Sequence, residues 1–346
     1  MNYVAGQIRY PWEKPPKHGE TIQVAEGLYW IRLPLPLKLD HVNVYALDDG
    51  DGWTIIDTGM GSPETKGIWG DLLSGPLSGK PVKRVVLTHH HPDHVGLAGW
   101  FQNDHGAELW TTRTAYLMAR MLTLDVQETP PPEILTFWQR AGMDPKILAK
   151  RASDKVFNFA DTVSPIALGY KRIMQDDVLS MGGRDWTVHI GNGHAPEHAT
   201  FWSQSDNLVI AGDQIISSIS PNLGVYATEP EADPVGEWLE TCERLYQIAN
   251  SKHVVFSGHK LPFSGLPFRL KQLIDNHHSA LKRLLNFLDS PHSAAECFQP
   301  LFKRCIGEGE YGLALIESIG HLNHLFRVKK VFRTLDPDGA YRFKRG

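Results

Sequence analysis

The feature that most constrains this chain is a seven-residue run, Thr88-His89-His90-His91-Pro92-Asp93-His94, directly after the apolar, strand-like segment Val82–Leu87. A loop at the carboxyl end of a strand is where open α/β sheets place their chemistry. Alternate residues of an extended turn point the same way, so His89 and His91 can share one metal ion while Asp93 and His94 reach a second. Imidazole and carboxylate suit zinc, and also iron, manganese or nickel. Four metal-capable side chains within six residues are far more specific than a merely His-rich surface loop.

Three later polar residues each end a predicted strand. His194 follows Asp185–Ile190, in Gly193-His194-Ala195-Pro196-Glu197-His198; Asp213 follows Leu208–Ala211; His259 follows Val254–Ser257. Gly193 and Gly258 precede the two histidines and permit tight turns that aim the rings inward.

The surrounding pattern is mixed α/β. Ile22–Val24, Leu28–Leu33, His41–Leu47 and Trp53–Ile56 read as strands, the last pair joined by the turn cluster Asp48-Asp49-Gly50-Asp51-Gly52. Strands and helices then alternate through Thr111. Residues 113–172 are mostly helical and read as an insertion, with Pro130-Pro131-Pro132 and Asp144-Pro145 marking helix starts. Sheet character resumes from Asp177 to Ser257, interrupted by a helix over Pro234–Ile248. Two halves of this kind would stack as two sheets with helices outside. Beyond Gly265 come Phe268–Leu288, Ala294–Lys303 and Leu313–Val328, then a hairpin: three helices and a wing. The reading therefore divides the chain into residues 1–265 and a smaller, mostly helical module at 266–346, of winged-helix type.

Composition narrows the function classes. A net charge of −4 over 346 residues gives no global attraction to nucleic acid or anionic membrane. Cys242, Cys297 and Cys305 are too few and too scattered for a disulfide framework or a CxxC metal site. No apolar run approaches the roughly 18 residues of a membrane span, and the Pro-rich lead-in to Lys17 has no signal-peptide pattern. A soluble, cytoplasmic protein is expected.

HxHxDH followed by an isolated His, an Asp and a final His, with these flanking glycines, resembles the metallo-β-lactamase superfamily over roughly residues 20–265. The resemblance implies a four-layer αββα sandwich. It also implies a first metal on His89, His91 and His194, a second on Asp93, His94 and His259, and Asp213 between them. Asp57 would support a ligand from behind, and His198 would contact substrate. Asp213 in place of Cys argues against an antibiotic-degrading β-lactamase; His91 in place of Glu argues against a flavin-linked oxygen reductase; the lack of a large nuclease insert argues against mRNA processing.

The implied chemistry is hydrolysis. Two divalent ions, zinc first and iron or manganese as alternatives, would hold a bridging hydroxide that attacks an ester, thioester or lactone carbonyl. Asp93 would orient that nucleophile and pass a proton to the leaving group. The expected partner is a small-molecule substrate, with no membrane role and a homodimer left open. The alternative is an endoribonuclease or other phosphodiesterase, for which the basic residues Lys329, Lys330, Arg333, Arg342, Lys344 and Arg345 are the motive. Tyr116, Met118, Met121, Phe137, Trp138 and Met143 of the insertion are candidates for a roof over the site.

Overall fold

The structure, a computed structural model, describes residues 7–346. Two compact units emerge, and neither is contiguous in sequence.

The first unit takes residues up to 126, then 157–221 and 248–269. Its first sheet has seven strands in chain order: β1 (Ile22–Ala25), β2 (Leu28–Pro34), β3 (His41–Asp48), β4 (Trp53–Ile56), β5 (Val82–Val86), β6 (Glu108–Thr111) and β7 (Lys171–Arg172). The meander β1 to β4 is antiparallel; β5, β6 and β7 each add parallel. Four helices interleave: α1 (Pro63–Ser74), α2 (Pro92–Val95), α3 (Ala98–His105) and α4 (Arg113–Leu124). Ser62 and Thr112 cap α1 and α4, each accepting a hydrogen bond from the backbone N–H three residues on.

The second sheet contains β8 (Val178–Met181), β9 (Arg184–Gly191), β10 (His198–Ser203), β11 (Leu208–Gly212), β12 (Val254–Ser257) and β13 (Phe263–Ser264), ordered β13-β12-β11-β10-β9-β8. Only β11 and β12 pair in parallel. The two-residue strands β7 and β13 are too short to show periodicity and were not foreseen.

Period-two alternation builds two cores. Trp30, Ile56 and Val86 point from the first sheet into a cluster with Trp186, Val188, Phe201, Ile210 and Phe256 of the second. Their neighbours Ile31, Ile55 and Val85 face the other way, onto Trp69 of α1, Phe101 of α3 and Tyr116 of α4. Each fully buried side chain of this size contributes about 1.5–3 kcal/mol. The expected sheet-on-sheet stack with outer helices is thus formed from the patterns that suggested it.

The second unit comprises residues 127–156, 222–247 and 270–346. It contains α5 (Pro132–Arg140), α6 (Pro145–Ser153), nearly all of α7 (Pro234–Ile248), most of α8 (Leu266–Phe287), then α9 (Phe298–Phe302), α10 (Tyr311–Arg327) and the hairpin of β14 (Val331–Leu335) and β15 (Tyr341–Arg345). His277 stacks on His321 at 5.6 Å and lies 4.5 Å from Trp238, so these rings pack the interior. The residues read as one insertion divide: α4 stays in the first unit, tied by Arg120 to the Ile166 carbonyl, while α5 is held by the Asp338 carbonyl and by Ala295. The tail of three helices and a hairpin is one part of this unit, not all of it. Tyr116 and Met143 are buried packing residues, which removes them from an exposed roof. Among the described residues no helix is long and apolar enough to cross a membrane.

Candidate metal centre

Every predicted ligand sits just beyond a strand end of the first unit. After β5 the chain extends through His89 to His91, where Pro92 at the first helical position starts α2 and carries Asp93 and His94 on its opening turn. Thr58 anchors that turn, its N–H and hydroxyl both donating to the His94 carbonyl. Asn192 and Glu197 fix the His194 loop: the Glu197 N–H donates to Asn192 Oδ1, and the Glu197 carboxylate accepts from Thr114 N–H.

The side chains converge as two triads. His89, His91 and His194 form one; Asp93, His94 and His259 form the other. In the first, His91 Nδ1 lies 3.1 Å from both His89 Nε2 and His194 Nε2. In the second, Asp93 Oδ2 lies 3.6 Å from His94 Nε2 and 3.4 Å from His259 Nε2. Asp213 Oδ2 stands between them, 3.5 Å from His194, 3.5 Å from His94 and 3.1 Å from His259. Donors about 2.0–2.1 Å from a tetrahedral ion are roughly 3.3 Å apart, so these spacings suit coordination. His94 Nε2 is also buried with no hydrogen-bond partner among the described residues, an expensive arrangement unless a cation takes its lone pair. The residues fit a two-ion centre.

Electrostatics agree. Burial, reinforced by neighbouring imidazoles, pushes His89 and His91 well below the usual histidine range, leaving neutral rings able to ligate. Burial would lower His94 too, but Asp93, Asp213 and Asp57 outweigh it and hold it well above that range. For His259 burial is likewise overcome by Asp213 and Asp93, which push it up to about 10. The second triad therefore draws positive charge.

Behind the ligands runs a fixed support. Asp57 adopts a left-handed backbone (φ 58°) and is buried. Its Oδ1 accepts the Thr88 N–H and its Oδ2 accepts both the Thr88 hydroxyl and His94 Nδ1–H, all at 2.8 Å. Thr88 Oγ1 in turn lies 2.9 Å from His89 Nδ1. A carboxylate only accepts, so it sets the protonated nitrogen of His94 directly and of His89 through Thr88, leaving each Nε2 bare. The support role expected of Asp57 has this physical form. Thr88 is the relay that sequence reading passed over; its place between strand and motif was the available signal.

His259 is aimed by the His41 carbonyl, 2.7 Å from its Nδ1. His41 showed no pattern in the sequence, yet its ring also accepts the Lys260 N–H and contacts Asp40. Asn43 ties the same loop down, donating to the Ser257 and Lys260 carbonyls while accepting from Trp30 Nε1. Gly258 and Gly212 leave no room for a side chain: a Cβ at Gly258 would overlap Asp213 Oδ1, and one at Gly212 (φ 49°) would lie 2.7 Å from the His198 ring.

His198 differs from expectation. It is fully buried, stacked at 4.6 Å on His89, with Nε2 accepting the Asp213 N–H at 3.1 Å. Burial and neighbouring His194 lower it to about 3, so it stays neutral as that acceptor. It positions His89 and Asp213 and has no surface for substrate. His90 likewise turns away, parallel to Phe159. The partly exposed face of the centre is made by His91, Asp93 and His194.

Residues 37–259 match the sequence pattern of the metallo-beta-lactamase superfamily, and residues 281–346 match a metallo-beta-lactamase-like C-terminal domain. The chain is 25% identical over 306 residues to the probable metallo-hydrolase YqjP of Bacillus subtilis (strain 168), covering 87% of this chain and 92% of that protein. A crystal structure of a beta-lactamase domain protein from Burkholderia ambifaria superposes with TM-score 0.88 at 32% identity, covering 100% of this chain and 99% of the other. A shorter stretch of 65 residues is 42% identical to the atrochrysone carboxyl ACP thioesterase nsrC of Aspergillus novofumigatus, covering 18% of this chain and 19% of that one.

Proposed function

Because the chain belongs to the metallo-β-lactamase superfamily and is a metal-dependent hydrolase, we propose that it cleaves an ester, thioester or lactone of a small molecule at a two-ion centre, most naturally of zinc. The observation that carries this reading is Asp213 Oδ2 standing within 3.5 Å of ligand atoms from both triads. Two divalent cations bound there would lower the pKa of a water toward 7 and polarise a substrate carbonyl.

The protein's own groups then divide the work. Asp213, buried and touching both triads, fixes the spacing of the centre. Asp93 is the more accessible carboxylate, its side chain 18% exposed against 7% for Asp213. It can accept a proton from water on the open face and return one to the leaving group. His91 and His194 border the same face, so the substrate carbonyl approaches past their edges.

Two observations support a small carbonyl substrate over RNA. The likeness to nsrC includes a protein named as a thioesterase. The three arginines of the basic hairpin are also paired with carboxylates: Arg333 with Glu231, Arg342 with Asp336 and Asp338, and Arg345 with Asp289. A contact made mainly to phosphates needs such cations unpaired.

The test is metal analysis of the purified protein together with turnover of acyl thioesters, lactones, phosphodiesters and single-stranded RNA. Hydrolysis of a carbonyl substrate, lost with His194→Ala and with Asp93→Ala, is expected. RNA cleavage without ester hydrolysis, or undiminished activity in Asp93→Ala, would overturn the reading.

A further inference from the structure

The second unit holds a cavity of about 430 Å³ along one face of α5. That volume falls within the range of small-molecule sites. Phe137, Ala294, Ile319 and Phe343 supply apolar walls. Helix α5 carries an apolar face, yet none of its nine residues is buried. The side of α5 that borders the space carries Glu133, Thr136, Phe137 and Arg140, with Phe137 as its chief apolar contribution there.

Two guanidiniums and two carboxylates border this cavity, and they are unevenly paired. Two guanidiniums crowd one ring: Arg333 lies 4.4 Å and Arg140 5.3 Å from the centre of Tyr341. Arg333 is neutralised by Glu231, whose two oxygens accept at 3.0 and 3.1 Å. Among the described residues, Arg140 has a long 3.4 Å contact to the Gly339 carbonyl and no paired carboxylate. Glu133 also borders the cavity, but it stands seven residues earlier on α5, roughly 10 Å away along the helix. One end of an apolar cavity is therefore left with an uncompensated, geometrically fixed cation.

We propose that this cavity binds a small carboxylate with an apolar body, of the size of a medium-chain acyl group, its head paired with Arg140 and its chain lying against Phe137, Ile319 and Phe343. A planar guanidinium held on an aromatic ring is preorganised for two parallel hydrogen bonds to a carboxylate. The apolar walls supply the remaining affinity and exclude compact inorganic anions from tight binding. The inference uses only residues of the second unit and does not rest on the proposed hydrolysis.

Calorimetric titration of the full-length, metal-loaded protein with decanoate tests it, with decanol as the uncharged probe. Saturable decanoate binding is expected. Arg140→Gln should weaken decanoate at least tenfold and leave decanol unchanged, while Arg140→Lys should restore part of the loss. Thr136→Trp, from an exposed position on α5 that borders the cavity, should weaken both probes. The proposal is overturned if decanoate does not bind with a Kd below about 5 mM. It is equally overturned if binding survives both Arg140→Gln and Thr136→Trp, or if it disappears in His194→Ala, which would place the ligand at the metal centre.

Discussion

Replacing Asp57 by Asn should lower metal affinity at both halves of the centre without disturbing the backbone. Asn is among the residues that best tolerate the left-handed conformation found here (φ 58°). Its amide oxygen must stay on the Thr88 N–H, a donor with no other role to adopt, so its NH2 occupies the position of Oδ2. There it faces His94 Nδ1 and Thr88 Oγ1 as a donor, where the wild type offers an acceptor. His94 then keeps its proton on Nε2, the ligating atom, and the Thr88 hydroxyl is freed to donate to His89 Nδ1, with the same result there. A hydrogen bond to a charged group is worth about 1.5–3 kcal/mol; at 1.4 kcal/mol per tenfold the second-triad ion should be released roughly 10- to 150-fold more readily. Thr88→Val separates the two effects, removing the hydroxyl that links Asp57 to His89 while keeping the Asp57–His94 contact, for an expected loss of about 2- to 10-fold that falls mainly on the first triad. Competition against a chromophoric chelator, with cobalt(II) spectra to tell a three-histidine site from one with a carboxylate, gives both constants. If Asp57→Asn leaves both constants at wild-type values, or Thr88→Val weakens the two sites equally, the relay is wrong.

Three further outcomes follow from packing and charge. Gly258→Ala should abolish activity and reduce metal content while leaving the circular dichroism spectrum near native, because its Cβ overlaps Asp213 Oδ1 and stands 2.7 Å from His94. Asn43→Ala should cost about 3 kcal/mol in chemical denaturation, since it removes three hydrogen bonds and strands buried partners on Trp30 and on the His259 loop. Acid should destabilise the protein through His277 and His321, lowered by burial to about 4 and about 3. Both are neutral when folded, so between the ordinary histidine value near 6.5 and these folded values the unfolded chain binds more protons. The loss begins as pH falls through 6.5 and reaches roughly 2 kcal/mol per histidine by pH 5. His321→Gln should halve this part of the difference in stability between pH 7.5 and pH 5; an unchanged difference would refute the assignment.

The candidate ligands, which the fold gathers, were legible because they follow strands whose own pattern is strong: Val82–Leu87 before His89, Leu208–Ala211 before Asp213, Val254–Ser257 before His259. Strand ends are local information. What lay hidden was contact between distant segments. Nothing near His41 announces that its carbonyl meets His259, 218 residues later. His198 carries the same residue type as a ligand, and only its stacking on His89 shows that it faces inward. The division of residues 113–172 was invisible for the same reason: α4, α5 and α6 have similar helical patterns, and what separates them is the surface each one meets.

The interleaved chain path also bears on how the molecule is made and cut. The final strands of the first sheet-bearing unit, β12 and β13, arrive only after segments 127–156 and 222–247 of the other unit have been synthesised. Those earlier segments must wait for residues 270–346 before their own unit is complete. No single cleavage of the backbone can therefore yield both units whole, and a fragment ending at residue 269 would carry every candidate metal ligand along with two stretches of helix whose main packing is missing.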